Sequence, residues 1–218
     1  MVRAPLSAIV IACLLPVSCT SASTHGLRSS SFNASNKNAI VVIASEASRR
    51  EFYTLSFDSY NAEKEAFGSQ QFSFNFLQGN SGYLFANAEP GEYLLSSIVV
   101  DTNWNLCPYE QTVSVTIKAG AINFLGFHNS TIHRAQAAEI ARSKGDESLD
   151  QFSYAYYVDH LFPATIRRGT PQDVYELQQY ISETFPEISA PIIQSDVTEA
   201  SYRRPTENRL FGLTCTGG

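Results

Sequence analysis

The sequence contains few charged residues. Only 17% of its 218 residues are Asp, Glu, Lys or Arg, whereas hydrophobic residues make up 44% and aromatic residues 12%. This balance suits pleated sheets better than long solvent-exposed helices, and it excludes collagen, a coiled coil and wholesale disorder. A chain of this length buries a sizeable core and forms one domain of ordinary size or two small ones.

An excess of positive charge is also missing. Fifteen Lys and Arg residues stand against 21 Asp and Glu residues, which gives a formal net charge of -6. Such a chain exerts no general attraction on polyanions. The composition therefore argues against nucleic acid as a partner.

Motifs of familiar chemistry are absent as well. The chain has no Walker phosphate loop, no dinucleotide-binding glycine motif, no G-x-S-x-G, no H-E-x-x-H and no C-x-x-C. The sequence thus indicates no cofactor, and we predict that the protein is not an enzyme. Dispersed residues can still meet in space, so an envelope hydrolase that uses His128 or His160 is kept as an alternative.

Two of the four histidines lie close together in the sequence. His128 and His133 flank the end of a predicted strand, and Glu139 follows with a carboxylate that completes a possible set of metal ligands. Their spacing, however, places the two rings together on neither a helix nor a strand. We therefore predict surface or hydrogen-bonded histidines and no metal site.

The N-terminal segment has the pattern of an export signal. Arg3 supplies a positive charge, and the mostly apolar stretch 4–17 is too short to span a membrane as a helix. This stretch ends in a Ser-Cys pair followed by a Ser/Thr-rich run, which resembles the signal of bacterial lipoproteins. The resemblance implies a signal peptide over 1–18, acylation of Cys19 by palmitate-type chains, and a flexible tether over 19–38.

Cys13 competes with Cys19 for the lipid. The residues before Cys13 match the lipoprotein pattern more closely, but cleavage there leaves a very short apolar segment. Lipidation of Cys19 discards Cys13 and leaves an even pair, Cys107 and Cys215, in an oxidising compartment. Ordinary secretion, with cleavage near 20–22, is the alternative to anchoring.

The two downstream cysteines lie more than a hundred residues apart. Their spacing has no redox or metal-binding signature. A bridge between Cys107 and Cys215 would stabilise the fold by about 4 to 5 kcal/mol through chain entropy and would fix the C-terminal segment to the domain. We predict this disulfide, with two unpaired thiols as the alternative.

Alternation of polar and apolar side chains dominates from residue 39 to about 130. Three phenylalanines within 71–76 fall on one face of a strand, which predicts that Phe72, Phe74 and Phe76 belong to a core. The segment 112–117 repeats the pattern with β-branched residues. The Ala-Gly pair at 119–120 then predicts a hairpin into a second strand over 122–127.

A Pro-Gly turn stands between these strands. Proline presets the first turn dihedral, Gly91 accepts the positive φ of a type II turn, and a strand over 92–101 follows. The Pro-Gly-x-Tyr turn and the strand-turn-strand pattern of 113–127 resemble transthyretin-like and carboxypeptidase-regulatory β-sandwich modules. This resemblance covers residues 83–128 and implies a sandwich with a binding or structural role.

The C-terminal extension, 131–218, contains one clear helix. Thr170 is a predicted N-cap with proline after it and an acidic residue three positions on, and an apolar stripe continues until Pro186. We predict a helix over 171–185 that packs on the sandwich. No element is predicted for 188–218.

Tyrosines are concentrated in a predicted strand over 151–158. Tyr154 and Tyr156 fall on the same face of that strand, and tyrosine offers a flat apolar ring with a polar tip. Packing within the domain is one interpretation of these rings. The other is contact with a sugar or a protein partner, which makes the pair candidate ligand-binding residues.

Together these features predict a mainly β protein. The fold is an antiparallel β-sandwich over 39–130 with a C-terminal amphipathic helix packed on it. We predict an envelope lipoprotein, held to the membrane by its N-terminal lipid, with a non-catalytic binding or structural role towards an envelope protein or glycan. A carbohydrate-binding module that uses exposed tyrosines is the alternative of a different class.

Overall fold

Strands provide most of the secondary structure. The computed structural model describes residues 31–45, 53–76, 82–100, 104–108, 110–129, 135, 139, 154–157, 166–203 and 215. Within these ranges the strands form two sheets, and a helix near the C-terminus covers one of them. The predicted β-sandwich with a C-terminal helix is confirmed.

The first sheet is built around a central parallel pair. It contains β1 (Ala39–Ser45), β4 (Gly82–Ala88), β8 (Ile122–His128), β10 (Ile166–Arg167) and β11 (Ile192–Gln194). β1 pairs antiparallel with β4 and parallel with β8. β10 and β11 both pair with β8, the former antiparallel and the latter parallel.

The second sheet is larger and mostly antiparallel. It contains β2 (Tyr53–Asn61), β3 (Ala66–Phe76), β5 (Gly91–Val100), β6 (Trp104–Cys107), β7 (Thr112–Ile117), β9 (Tyr154–Tyr157) and β12 (Val197–Ala200). The strand order is β12-β7-β5-β2-β3, with β6 paired to the far end of β5. β9 pairs in parallel with β6. Both sheets are therefore mixed, and the purely antiparallel pairing expected from the sequence is corrected.

The main core lies between the two sheets. Phe72, Phe74 and Phe76 point into it and are 4%, 1% and 2% exposed, which confirms the prediction from alternation. They pack with apolar side chains of β2, β5 and β7 from their own sheet and of β1, β4 and β8 from the other. Burial of a phenylalanine contributes about 1.5 to 3 kcal/mol, so this alternation supplies much of the stability of the sandwich.

A second apolar layer covers the opposite face of the first sheet. The helix α1 (Pro171–Thr184) buries Leu177 and Ile181 against Phe85 of β4 and Phe124 of β8. The predicted helix is confirmed, with Phe185 as its C-cap. In the described ranges that contain these elements, α1 and the two sheets thus form three successive layers.

The start of α1 carries a capping box. The Thr170 hydroxyl accepts a hydrogen bond from the Asp173 N–H at 3.2 Å, and the Thr170 N–H donates to the Asp173 carboxylate at 2.7 Å. This backbone hydrogen bond is the main reason that the pKa of Asp173 is lowered, although burial opposes the shift. The Thr170 hydroxyl and the Asp173 carboxylate thus each accept a hydrogen bond from a backbone N–H that has no partner within the helix.

We expect Thr170→Ala to lower the free energy of unfolding by about 1 kcal/mol, whereas Thr170→Ser should retain most of it. Because the folded state lowers the pKa of Asp173, the stabilisation from its carboxylate is present above the pKa of the unfolded chain. It is lost as the pH falls through the folded pKa. Urea denaturation at neutral and acidic pH measures both effects. An Asp173→Asn variant whose deficit does not shrink in acid would contradict the assignment.

The predicted hairpin at 119–120 is wrong. β7 belongs to the second sheet and β8 to the first. The turn therefore carries the chain from one sheet to the other, and the two strands that flank it do not pair with each other. Gly120 has a φ of 63°, and a Cβ there would lie only 2.3 Å from the Ala34 carbonyl oxygen. The sequence correctly predicted that this turn needs a glycine, but a tight turn does not determine which strands pair with each other.

The last part of the tether predicted over 19–38 belongs to the folded domain. Phe32 is 8% exposed, contacts the cluster beneath α1 and forms a parallel bridge with Ile188. The Ser189 N–H donates to the Phe32 carbonyl oxygen at 2.8 Å. A single phenylalanine among small polar residues forms no periodic pattern, so the sequence alone does not predict that Phe32 packs against the domain. Residues 19–30 lie outside the described part of the chain.

The segment without predicted elements contributes two strands. β11 pairs with β8, and β12 pairs antiparallel with β7. Tyr202 then covers Leu94 on the outer face of the second sheet, and its hydroxyl donates to the Ser96 carbonyl oxygen at 3.1 Å. These strands have three and four residues, too few for a periodic pattern, and they pair with edges formed by strands far away in the sequence.

Candidate functional site

A cleft of about 390 Å³ opens where the β2–β3 hairpin meets the β4–β5 turn. We call it the hairpin cleft. Two separate segments form its walls: the hairpin belongs to the second sheet, and the β4–β5 turn joins the first sheet to the second. The lining residues that matter below are Tyr60, Lys64, Phe67, Gln70, Glu89 and Glu92.

An irregularity in β3 shapes the hairpin side of this cleft. Residues 68–70 stand opposite Ser59 alone, between the regular pairs on either side. The Ser59 hydroxyl accepts a hydrogen bond from the Gln70 N–H at 3.2 Å. A Cβ on Gly68 would come within 2.5 Å of that hydroxyl oxygen, so glycine permits the close approach. Such bulges bend a strand and increase its twist, which turns the end of the hairpin.

Two aromatic rings form the floor of the cleft. Tyr60 and Phe67 are direct partners in the β2–β3 register, and their ring centroids lie 5.2 Å apart at an interplanar angle of 60°. Phe67 also meets the Tyr202 ring edge-to-face at 4.8 Å. Tyr60 and Phe67 are only half-buried, so parts of both rings face the cleft. The C-terminal segment therefore supports the floor from behind.

The turn side of the cleft carries two carboxylates. Glu89 and Glu92 flank the Pro-Gly turn, in which Gly91 has a φ of 155°. The buried Tyr93 fixes this turn, because its hydroxyl donates to the Glu89 carbonyl oxygen at 3.0 Å. The Ser114 hydroxyl donates to Glu92 Oε1 at 3.2 Å and orients that carboxylate.

The electrostatic environment of the cleft is negative around Tyr60. Burial, followed by the charges of Glu65 and Glu92, raises the pKa of the Tyr60 hydroxyl. Burial and the charge of Glu89 likewise raise the pKa of Tyr93, although its backbone hydrogen bond partly offsets the shift. Carboxylates act in this direction because they disfavour a phenolate. The cleft thus favours positive charge.

A smaller pocket of about 180 Å³ lies at the edge between β7 and β12. Glu110 and Glu199 contribute carboxylates to it, together with Gln111, Thr112 and Ala200. Its described lining residues carry no aromatic ring. The hairpin cleft is the larger of the two and the richer in groups that orient a ligand.

Of the two histidines considered for the alternative hydrolase site, the structure describes only His128. His128 has an exposure of 0% and lies between the rings of Tyr53 and Phe76, with centroids 5.1 and 5.6 Å away. Of the two predictions made for it, surface or hydrogen-bonded, this burial excludes the surface position, because the end of β8 turns the side chain into the core between the sheets. His133 and His160 lie outside the described residues. Within the described ranges no group of three His, Cys, Asp or Glu side chains is placed to hold a metal ion.

The predicted ligand-contact tyrosines lie on β9. Tyr154 is paired with Trp104 and Tyr156 with Leu106 in the parallel β6–β9 ladder. Their side chains are not among the described features, so their role in ligand contact stays a prediction. The cleft residues Tyr60, Phe67 and the two glutamates were missed by sequence reasoning, since only the turn at 88–95 was recognised there and no periodic signal links it to the β2–β3 hairpin.

The cysteines divide into two groups. Cys107 of β6 and Cys215 form a disulfide, with their Cα atoms 5.1 Å apart. Both are buried, at 0% and 4% exposure. Cys13 and Cys19 lie outside the described residues, and lipid attachment at Cys19 is taken up below as a proposal.

Comparison with known proteins identifies no relative, so the function is inferred from the fold and the hairpin cleft. No protein-family model matches the chain, and no curated protein or solved structure shows significant similarity to it. Within the described ranges, no helix has the length and apolar character needed to cross a membrane. The class that the fold defines is a two-sheet β-sandwich with one helical layer.

Proposed function

We propose that this protein is a lipid-anchored binding protein of the cell envelope. The observation that carries the binding function is the hairpin cleft, which combines an aromatic floor with carboxylate, amide and ammonium groups on a sheet scaffold. Binding sites are typically concave, with apolar surface and a few well-placed polar groups. The export signal and Cys19 support the anchored location.

The proposed mechanism is positional. A lipid on Cys19 keeps the sandwich within reach of the bilayer, and the segment before Phe32 sets that reach. Holding two partners on one surface raises their effective concentration, so a cleft of modest intrinsic affinity still captures ligands that are exposed at the membrane. One acyl chain gives only marginal anchoring, and the several chains of a lipoprotein cysteine make it stable.

Anchoring is tested by replacing the two candidate cysteines separately. We expect wild-type protein and the Cys13→Ala variant to sediment with membranes after detergent-free lysis, and Cys19→Ala to move to the soluble fraction, because acyl chains supply the membrane affinity. Quantitative immunoblots of both fractions measure the change. If both variants partition like the wild type, anchoring through a lipidated cysteine is refuted. If only Cys13→Ala moves to the soluble fraction, the lipid is attached to Cys13.

A further inference from the structure

We propose that the hairpin cleft binds an organic ammonium group, carried either by a small amine or by the lysine side chain of a polypeptide. This inference rests on the proposed binding function and names its ligand class. It draws on three separate features of the cleft: its carboxylates, its aromatic floor and the position of Lys64 on the hairpin side.

The carboxylates provide the charge. Glu89 and Glu92 both line the turn side, and Glu65 at the end of the hairpin adds its field at Tyr60. The hydrogen bond from Ser114 fixes Glu92 before a ligand arrives, which reduces the entropy lost on binding. Hydrogen bonds between an ammonium and a carboxylate are roughly twice as strong as neutral ones.

Within the described part of the chain, neither carboxylate forms a salt bridge. Lys64 lines the opposite, hairpin side, where its backbone N–H donates to Asn61 Oδ1 at 2.9 Å. Among the described residues the salt bridges lie elsewhere, at Arg167 and Arg168, and none joins Lys64 to Glu89 or Glu92. The negative side of the cleft therefore remains available to an external cation.

The aromatic floor selects an organic cation over a hydrated metal ion. Tyr60 and Phe67 place ring surface beside the carboxylates, and an ammonium close to a ring face gains about 0.5 to 2 kcal/mol from cation–π attraction. The two rings meet at 60°, so they do not form the flat platform on which a pyranose ring stacks. This angle favours an ammonium over the neutral saccharide considered from the sequence.

The test uses two lysine derivatives, one with a charged and one with a neutral side chain. N-acetyl-lysine amide carries one ammonium, and its Nε-acetylated counterpart carries none. With detergent-solubilised full-length protein, ligand-observed NMR titrations should show the charged probe binding at least about tenfold more tightly, a ratio expected for loss of a charge-assisted hydrogen bond. Its affinity should fall as salt rises from about 0.05 to 0.5 M, because salt screens the attraction.

Matched variants locate the binding. Glu92→Gln should weaken the charged probe about tenfold, whereas Glu183→Gln removes the same charge from α1, on the other sheet, and should leave affinity unchanged. Tyr60→Leu should cost about three- to tenfold through loss of the ring. A thermal melt of each variant shows that the fold is retained, and Glu92 is exposed enough for its replacement to be tolerated.

Several results would overturn the inference: equal binding of the two probes, equal affinity of the two glutamine variants, or binding of a neutral oligosaccharide with no binding of amines. Cadaverine and a peptide with a single lysine distinguish the two sources of the ammonium, and binding of either one supports the proposal. If no amine probe binds but membrane partition still depends on Cys19, the ammonium inference is wrong and the anchoring proposal stands. If the wild-type protein does not partition to membranes but still binds amines, only the anchoring proposal is wrong.

Discussion

Replacing Asn123 by leucine is expected to lower the free energy of unfolding by about 2 to 4 kcal/mol, because the change removes a buried hydrogen-bond network of about 1 kcal/mol per bond. Asn123 has an exposure of 0% and lies on β8 just after the chain crosses between the sheets. Its side chain accepts from the Lys118 N–H at 2.9 Å. Its amide donates to the carbonyl oxygens of Lys118, Ala121 and Ile40, at 3.0, 3.2 and 3.4 Å.

This network takes the place of the ladder that a hairpin would have formed. Since β7 and β8 enter different sheets, the backbone groups at the crossing have no strand partner across the turn. Leucine fills similar space but removes the acceptor of the Lys118 N–H and the side-chain donor to the Lys118 carbonyl oxygen, which carries the cost of their desolvation. The Ala121 carbonyl oxygen keeps its hydrogen bond from the Ile40 N–H.

Urea denaturation of the wild type, Asn123→Leu and Asn75→Leu provides the comparison. Asn75 lies on the exposed face of β3 and accepts a single side-chain hydrogen bond from Thr54, so its replacement should cost less than about 1 kcal/mol. If the two leucine variants were equally stable, the side chain of Asn123 would not be what holds the crossing together.

Removal of the disulfide should have the largest effect on stability. Cys107 and Cys215 are 108 residues apart, and a loop of that size restricts the unfolded chain enough to stabilise the native state by about 4 to 5 kcal/mol. We expect the double variant Cys107→Ser/Cys215→Ser to lose this amount. A domain at the low end of the ordinary range, with a stability of about 5 kcal/mol, would then be close to unfolding at 37 °C.

Chemical denaturation with and without reductant checks this expectation. Reductant should destabilise the wild type and leave the double serine variant unchanged. Because both cysteines are buried, reduction of the folded wild type should require local opening and proceed slowly in the absence of urea. A stability difference below about 1 kcal/mol would show that chain restriction by this bond contributes little.

The fold was accessible to sequence reasoning where a local rule decides the outcome. Phe72, Phe74 and Phe76 alternate with polar residues, and any pleated strand places them on one face, whichever strands lie beside it. The Thr170 capping box likewise depends only on residues within one turn, so the helix start was read correctly. Local rules survive because they require no knowledge of distant partners.

The cleft could not be read in the same way. Tyr60 and Glu92 belong to segments that contact each other only because β2 pairs with β5 and the hairpin bends at residues 68–70. A tyrosine at the end of one strand and a glutamate at the start of another give no joint signal in a linear pattern. Their proximity follows from register, which long-range pairing determines.

By itself the sequence determined the strand faces of the sandwich, the caps of its helix and the glycine at its sheet-to-sheet turn, whereas the export signal in its first residues stays a prediction. Only the tertiary structure decided that β7 and β8 separate, that Phe32 and the last strands join the domain, and that two carboxylates meet an aromatic floor. The physical reason is range: dihedral preferences and alternation act over a few residues, whereas pairing is settled by the burial and hydrogen bonding of segments that are far apart along the chain.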